Sequence, residues 1–300
     1  MSSPQRVVIA GAGGRLGKAV LHFFGSRLHT VGMDRAKLDL SKPDQIATSL
    51  DALEFDLLVN CAALTNVDYC ESHREEAFLV NAEAPAILAR LAAERHARMF
   101  HISTDYVFDG KKPSPYVETD SPNPLSVYGK SKLSGEEKVL AESPDHLNIR
   151  VSWVFGPERP SFIDWALNTA KYRSDLAAVG DKFSTPSYTR DLARALHRLA
   201  ETPHATGTLH LCNEGQCSWR EFAQEALNVA GECGVTFATK EVGHIPLDAM
   251  EQFVARRPVQ TAMSTERFTS LTGQRMPAWQ EAVRDFVIAH KVPTLKEIVA

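Results

Sequence analysis

The sequence predicts an α/β fold, a doubly wound parallel sheet with a smaller, discontinuous C-terminal lobe. Three observations carry this. Short apolar runs alternate with amphipathic helical stretches through the first half, the pattern of strands covered by helices on both faces. A glycine-rich turn, Gly11-Ala12-Gly13-Gly14-Arg15-Leu16-Gly17, lies directly between the first apolar run and the first helix. After Gly156, prolines at 157, 160, 186, 203, 246, 258, 277 and 293 break the chain into shorter elements.

The elements follow in order. Residues 7–10 read as a strand, 18–24 as a helix, and 30–33 as a second strand ending at Asp34-Arg35. A helix over 44–53 leads into a buried strand at 57–60. Residues 75–95 carry Ala77, Val80, Ala84, Ile87, Leu88 and Leu91 at helical spacing. A strand over 99–102, a helix bearing Tyr128 and ending near 142, and a strand over 147–151 complete the first half. Beyond it, a helix at 191–201 and a strand at 208–212 return to the sheet, while 219–230 and 279–290 are amphipathic helices. The chain thus divides into a nucleotide-binding unit (1–156 with about 188–213) and a substrate-binding lobe (about 157–187 and 214–300).

Composition narrows the function. Three hundred residues with 44% hydrophobic and 23% charged content are those of an ordinary globular protein. A net charge of −4, with no long run of Lys or Arg, argues against a nucleic acid polymer as partner. The five cysteines (61, 70, 212, 217, 233) are odd in number and lack paired CxxC spacing, so neither a disulfide framework nor a zinc site is expected. The 11 histidines are scattered, and no metal site is predicted. The first apolar run is too short for a signal-peptide core, and no stretch approaches the roughly 20 apolar residues of a membrane span. A soluble, cytoplasmic protein without membrane attachment is expected.

The motifs that carry chemistry fall at strand ends or on the helix that follows, where open α/β sheets bind ligands. Glycines 11, 14 and 17 leave backbone N–H groups free to approach a pyrophosphate at a helix N-terminus. Asp34 stands where a carboxylate would bond both hydroxyls of an adenosine ribose, and Arg35 beside it would welcome a 2′-phosphate. The two signals conflict, so NADPH and NADH both stay open as cofactors. Asp39-Leu40 lies where the chain could cross toward the adenine, or Asp39 is an exposed loop acid. Asn60-Cys61-Ala62-Ala63 has small side chains that would either admit a cofactor ribose or fill helix–sheet packing. Ser103-Thr104-Asp105 ends a strand and would project a hydroxyl toward a ketone oxygen becoming an alkoxide. Tyr128 and Lys132 are four residues apart, on one helix face. A cation beside a phenol would favour its phenolate and bring proton transfer toward neutrality.

Taken together, these residues resemble the extended short-chain dehydrogenase/reductases, a Rossmann-fold superfamily, and more closely the dTDP-4-dehydrorhamnose reductase family. The similarity runs through Asn60 to Asp68 with Glu71, Ser103 to Gly110, Tyr116, Glu118, Asp120, Pro124, Tyr128-Gly129, Lys132, Gly135-Glu136 and Arg150 to Gly156. It implies a Rossmann-like fold and NADPH- or NADH-dependent reduction of the 4-keto group of a nucleotide sugar. Thr104, Tyr128 and Lys132 would then be catalytic. Gly11, Gly13, Gly14, Arg15, Leu16 and Gly17 would surround the pyrophosphate, Asp34 and Arg35 the adenosine ribose, Asp39-Leu40 the adenine, and Ala62-Ala63-Leu64-Thr65 the inner ribose. Tyr128 and Lys132 would also bind the cofactor, and Thr104, Asp105 and Trp153 would touch the substrate. Read from the residues alone, Trp153 is either core or ligand platform. A homodimer is compatible with the resemblance.

Two departures lie in the second lobe. Asp181-Lys182-Phe183-Ser184-Thr185-Pro186-Ser187 has Lys where the family usually has Gln, and Ser after the Pro where Thr is usual; Pro160-Ser161-Phe162 stands where Asn-Phe is usual. Both bear on which sugar is reduced. The competing reading is a non-catalytic regulatory subunit resembling the methionine adenosyltransferase β subunit, against which Thr65, Val67-Asp68 and Trp153 argue. A dehydratase is disfavoured because Tyr106, not an acid, follows Thr104-Asp105.

Overall fold

Val7, Val8, Ile9 and Ala10 are all essentially inaccessible, as are Leu57, Leu58 and Val59, so these runs bury both faces and need helices on each side. A computed structural model describes residues 5–297 and shows that arrangement; the first four and last three residues, which open the first predicted unit and close the second, lie outside it. Six strands form the central sheet: β1 (Arg6–Ala10), β2 (His29–Met33), β3 (Leu57–Asn60), β4 (Arg98–Thr104), β5 (Leu147–Val151) and β6 (Gly207–His210). All are parallel, in the order β2-β1-β3-β4-β5-β6. The fold is a Rossmann-like doubly wound α/β sheet. From β2 the chain crosses back over β1 to β3, so the winding reverses between β1 and β3 and a crevice opens beyond their carboxyl ends. No strand lies outside β2 among the described residues; the chain after Arg35 runs as turns there, with Leu38 and Leu40 buried against the sheet edge.

Two helices govern the geometry beside that crevice. The stretch predicted as one helix over 75–95 is helical throughout, as Arg74–Phe78, a π turn over Leu79–Glu83, and Ala84–Glu94. The wide turn presents Asn81, whose side chain accepts from Leu64 N–H (2.8 Å) and donates to Leu64 O (3.0 Å) and Ser131 Oγ (3.0 Å). π turns of this kind recur at functional sites. The second helix, Val127–Glu142, starts at Ser126, whose Oγ accepts from Gly129 N–H, while Glu71 accepts from Val127 N–H (2.8 Å). Its glycines mark close approaches. A Cβ at Gly129 would sit 2.3 Å from Tyr106 O, and one at Gly135 would sit 2.1 Å from Asn81 O. Glu136 grips Arg150 of β5 with two parallel hydrogen bonds (2.9 and 2.7 Å), both side chains 4% exposed.

The remaining residues build a second apolar cluster. Helices Phe162–Tyr172, Trp219–Glu232 and Trp279–His290 pack around Phe155, Tyr188, Phe222 and Phe286. The first was not predicted from the sequence. It starts at a capping box in which Asp164 accepts from both Ser161 N–H (2.7 Å) and Ser161 Oγ (2.8 Å). The helix Glu266–Thr272, also unpredicted, joins the sheet instead, with Phe268 in the same cluster as Leu209. Among the described residues no helix is long and apolar enough to cross a membrane.

Candidate active site

The glycine turn after β1 is shaped by steric necessity. Gly11 has φ +75°, and a Cβ there would lie 2.6 Å from Ala62 N, because this turn and the loop after β3 touch across the crevice. A Cβ at Gly17 would lie 2.1 Å from Gly11 O, so this glycine lets the helix Arg15–Gly25 close down on the turn. Gly14 is the N-cap and brings no side-chain hydrogen bond, which leaves the helix's first N–H groups open. Such a terminus attracts an anion such as a pyrophosphate.

A cleft of about 250 Å³ opens directly above this turn, lined in part by Gly11, Gly13, Gly14, Arg35, Asp39, Leu40, Ala62, Ala63 and Leu64. These nine predicted residues come from the ends of β1, β2 and β3. Seven other predicted cofactor residues stand outside the lining, Tyr128 and Lys132 among them. Leu16 and Gly17 are buried in the helix, and Thr65 is exposed beyond the cleft. Asp34 is exposed, with one carboxylate oxygen accepting from Ala36 N–H (3.1 Å) and Lys37 N–H (3.2 Å) and thereby closing its own turn. Asp39 is likewise occupied by Ser41 Oγ (2.7 Å) and Ser41 N–H (3.0 Å), which hold its carboxyl below the ordinary range. The Arg15 guanidinium turns away from the cleft and donates to Val154 O (2.7 Å) and Pro160 O (2.5 Å). Arg159 makes the reciprocal contact, lining the cleft and donating to Gly13 O (2.9 Å). Sequence reading missed Arg159, since an arginine in a proline-flanked loop 146 residues from its partner gives no local signal.

Thr104, Asp105, Tyr106, Tyr128 and Lys132 gather at the carboxyl end of β4 and the start of the helix packed on it. Tyr128 is buried, and burial pushes its phenol well above the usual tyrosine range, with the Thr104 hydroxyl acting in the opposite direction. Lys132 is 1% exposed. Its Nζ donates to Ile102 O (2.7 Å) and lies 3.3 Å from His101 Nε2. Helical spacing predicts that the lysine acidifies the phenol one turn away. In the structure its ammonium is directed under the helix to β4, because shared helical spacing fixes where a long side chain starts and not where it ends.

His101 was not anticipated either, and it joins this lysine to the cofactor cleft. Asn60 Oδ1 accepts from Ala62 N–H (3.1 Å), which turns its Nδ2 toward His101 Nδ1 (3.1 Å). The imidazole is fully buried and its pKa lies well below the ordinary value, through burial and the nearby Lys132. A neutral ring accepting at Nδ1 carries its proton on Nε2, facing Lys132. Burial lowers Lys132 to about 8, which leaves it chiefly an ammonium at neutral pH, so the acceptor that holds it is Ile102 O.

Asp105 is the hub of the substrate side. It accepts from Thr104 Oγ1 (3.2 Å), Ser152 Oγ (2.9 Å) and Thr261 Oγ1 (2.6 Å). Trp153 follows Ser152 with φ +46°, a left-handed backbone that bulky residues rarely adopt and that marks stored strain. Its half-buried ring stands against Phe222 (4.6 Å between centroids), Phe162 (5.8 Å) and Trp219 (5.8 Å). Arg257 closes this side by gripping Asp68 through two contacts (2.6 and 2.5 Å), and Asp68 also accepts from Ala255 N–H. The arrangement can hold a carbonyl oxygen between a threonine and a tyrosine hydroxyl, beside a cleft suited to a dinucleotide. Among the described residues no group of three or more His, Cys, Asp or Glu is placed to hold a metal ion.

Comparison with known proteins places these features in context. Residues 5–292 match the family model described as the RmlD substrate binding domain. A dTDP-4-dehydrorhamnose reductase from Aggregatibacter actinomycetemcomitans is 32% identical over 292 residues, covering 93% of this chain and 97% of its own. The spore coat polysaccharide biosynthesis protein SpsK of Bacillus subtilis is 33% identical, covering 94% and 96%. Among solved structures, a dTDP-4-dehydrorhamnose reductase from Bacillus anthracis in complex with NADP superimposes with a TM-score of 0.88 at 30% identity, covering 96% of this chain and all of that one.

Proposed function

The chain belongs to the RmlD substrate binding domain family, and from that premise we propose that it is an NAD(P)H-dependent oxidoreductase that reduces the 4-keto group of dTDP-4-dehydro-L-rhamnose to give dTDP-L-rhamnose. The observation that carries this reading is the meeting of Thr104 and Tyr128 at the carboxyl end of β4, beside a cleft whose glycine cradle a Cβ would fill. The nicotinamide, when bound, supplies the hydride. Thr104 orients the keto oxygen, and Tyr128 gives that oxygen its proton as it becomes an alcohol. A phenol whose pKa is raised by burial is a stable proton store that releases its proton only to a strong base, which an incipient alkoxide is. Lys132 is anchored by Ile102 O for the ribose side, and we assign Trp153 and Asp105 to the sugar.

Arg35 lines the cleft while one Asp34 oxygen is committed to its turn, which supports NADPH as the better cofactor. The two apolar clusters support a division into a cofactor unit (1–156 with about 188–213, plus the helix Glu266–Thr272) and a substrate lobe drawn from about 157–187 and the rest of 214–300. Five free cysteines support a reducing, cytoplasmic location, and a homodimer is compatible with the family resemblance. The test is to mix the purified chain with NADPH or NADH and dTDP-4-dehydro-L-rhamnose and follow absorbance at 340 nm. A steady fall is expected. Unchanged absorbance, with a stoichiometric synthetase partner retrieved in a pull-down, would replace this reading with the regulatory-subunit alternative.

A further inference from the structure

Lys182 is a buried cation that the chemistry above does not use. It is 1% exposed and forms no ion pair within 4.0 Å among the described residues. Burying an ammonium is costly unless its charge and protons are taken up. Its Nζ donates to Ser184 Oγ (3.1 Å) and lies 5.5 Å from the Tyr106 ring centroid. Ser184 Oγ lies 2.9 Å from Thr261 Oγ1, and Thr261 Oγ1 reaches Asp105 Oδ2 at 2.6 Å.

The direction of this chain follows from its ends. A carboxylate only accepts and an ammonium only donates. Thr261 therefore gives its one proton to Asp105, Ser184 gives its proton to Thr261, and Lys182 gives one to Ser184. All four residues are at most 3% exposed, so water does not compete. The consequence falls on Thr104. Its single hydroxyl proton has two claimants, the Asp105 carboxylate and the keto oxygen it must polarise. Thr261 and Ser152 both hold Asp105 Oδ2, at 2.6 and 2.9 Å, and draw the carboxylate's charge toward that oxygen, while Thr104 meets only Oδ1, at 3.2 Å.

We propose that Lys182 is a positioning residue of the reductase: by satisfying Asp105 through Ser184 and Thr261, it frees the Thr104 proton for the oxygen of the substrate. This rests on the reductase reading and deepens it. The charged and titratable groups facing Lys182 are Asp105, which favours its charged form, Arg257, which opposes it, and the Tyr106 phenol; Asp68 stands behind Arg257. Burial is the largest influence and brings Lys182 down to about 8.

The test compares Lys182→Gln, which keeps a donor of similar reach without the charge, with Lys182→Met, which keeps neither. With the keto-sugar and NADPH, kcat is expected to fall about tenfold in the glutamine variant and further in the methionine variant, with KM for NADPH unchanged. The wild-type kcat is expected to drop above about pH 8 as the lysine loses its charge, and Lys182→Gln is expected to lose that component of the profile. Any decline that persists in the glutamine variant belongs to Lys132. A glutamine variant with kcat within about twofold of wild type, or one slowed with an unchanged alkaline decline, overturns the proposal.

A second measurement needs no substrate and so separates this inference from the reductase reading. A lysine with a folded pKa near 8 and an unfolded one near 10.4 makes the unfolded chain the stronger proton binder between those values. Wild-type stability should therefore rise relative to Lys182→Gln from pH 8 to 10. A flat difference over that range means the lysine is not held as described, whatever the activity assay gives.

Discussion

The Asp68–Arg257 clamp offers a prediction whose size can be worked out. Its partners are 189 residues apart and tie the segment before β4 to the last quarter of the chain. The Arg257 guanidinium, with Ala255 N–H adding to it, holds the Asp68 carboxyl at about 2 against the desolvation that would raise it. An ordinary aspartate titrates near 3.9, and at about 1.4 kcal/mol per pKa unit the depression is worth roughly 2.5 kcal/mol. Asp68 keeps 30% of its side-chain exposure and Arg257 only 8%. Solvent screening therefore trims the expected coupling to about 1–2 kcal/mol. The perturbation is a double-mutant cycle with Asp68→Asn, Arg257→Met and both, read by urea denaturation. The sign with pH is fixed: the folded pKa lies below the unfolded one, so the contribution is complete above the unfolded value and is lost as pH falls through the folded one. Between pH 7 and pH 3 the coupling should fall to about half. A coupling below about 0.3 kcal/mol at pH 7, or one indifferent to pH, would refute the reasoning and make the clamp an ordinary solvated pair.

Two further outcomes follow from the site. Tyr128→Phe should lower kcat by about 100- to 10,000-fold while the NADPH dissociation constant, measured by fluorescence titration, moves by less than about twofold; full activity would remove the phenol as the acid. Arg35→Ala should raise KM for NADPH by about tenfold or more, the worth of a charge-assisted bond to phosphate, and leave KM for NADH nearly unchanged. Equal effects on the two cofactors would mean that Arg35 does not meet a 2′-phosphate.

The parts of the fold legible in the sequence were those set by strong local periodicity. Strand 57–60 appears at the predicted residues because it is an unbroken apolar run ending at Asn60, and strand 147–151 because Leu147, Ile149 and Val151 alternate with Asn148 and Arg150. The helix Phe162–Tyr172 was hidden by the prolines before it, although Ser161 and Asp164 spell a capping box that could have revealed it. The helix Val67–Ser72 is too short to show a period and is started by Asn66 accepting from Tyr69 N–H. Within the candidate site, the structure lines one cleft with glycines of the first turn and the alanines after β3, and sets Thr104 beside Tyr128 of the following helix. What escaped were partners supplied by distant segments: His101 under Lys132, Arg159 on Gly13, and Thr261 on Asp105, 156 residues away. Sequence spacing says which face a side chain leaves from, and only the packed fold says which atom it meets.

Those long-range partners share a location. Arg15 to Val154 and Pro160, Arg159 to Gly13, Arg257 to Asp68 and Thr261 to Asp105 all cross between the sheet's carboxyl edge and the chain after Trp153. The left-handed Trp153 sits at the same seam, at a cost of about 1–3 kcal/mol that its aromatic neighbours must offset. The Arg257–Asp68 and Thr261–Asp105 links and the Arg15 bond to Val154 O are wholly or partly buried, so they hold their geometry more firmly than a surface pair would. Removing one is expected to loosen the spacing between Thr104 and Trp153 without touching either. Rate should therefore respond to these residues more steeply than overall stability does, because reduction requires both sides of the seam at once, whereas the two apolar clusters cohere separately.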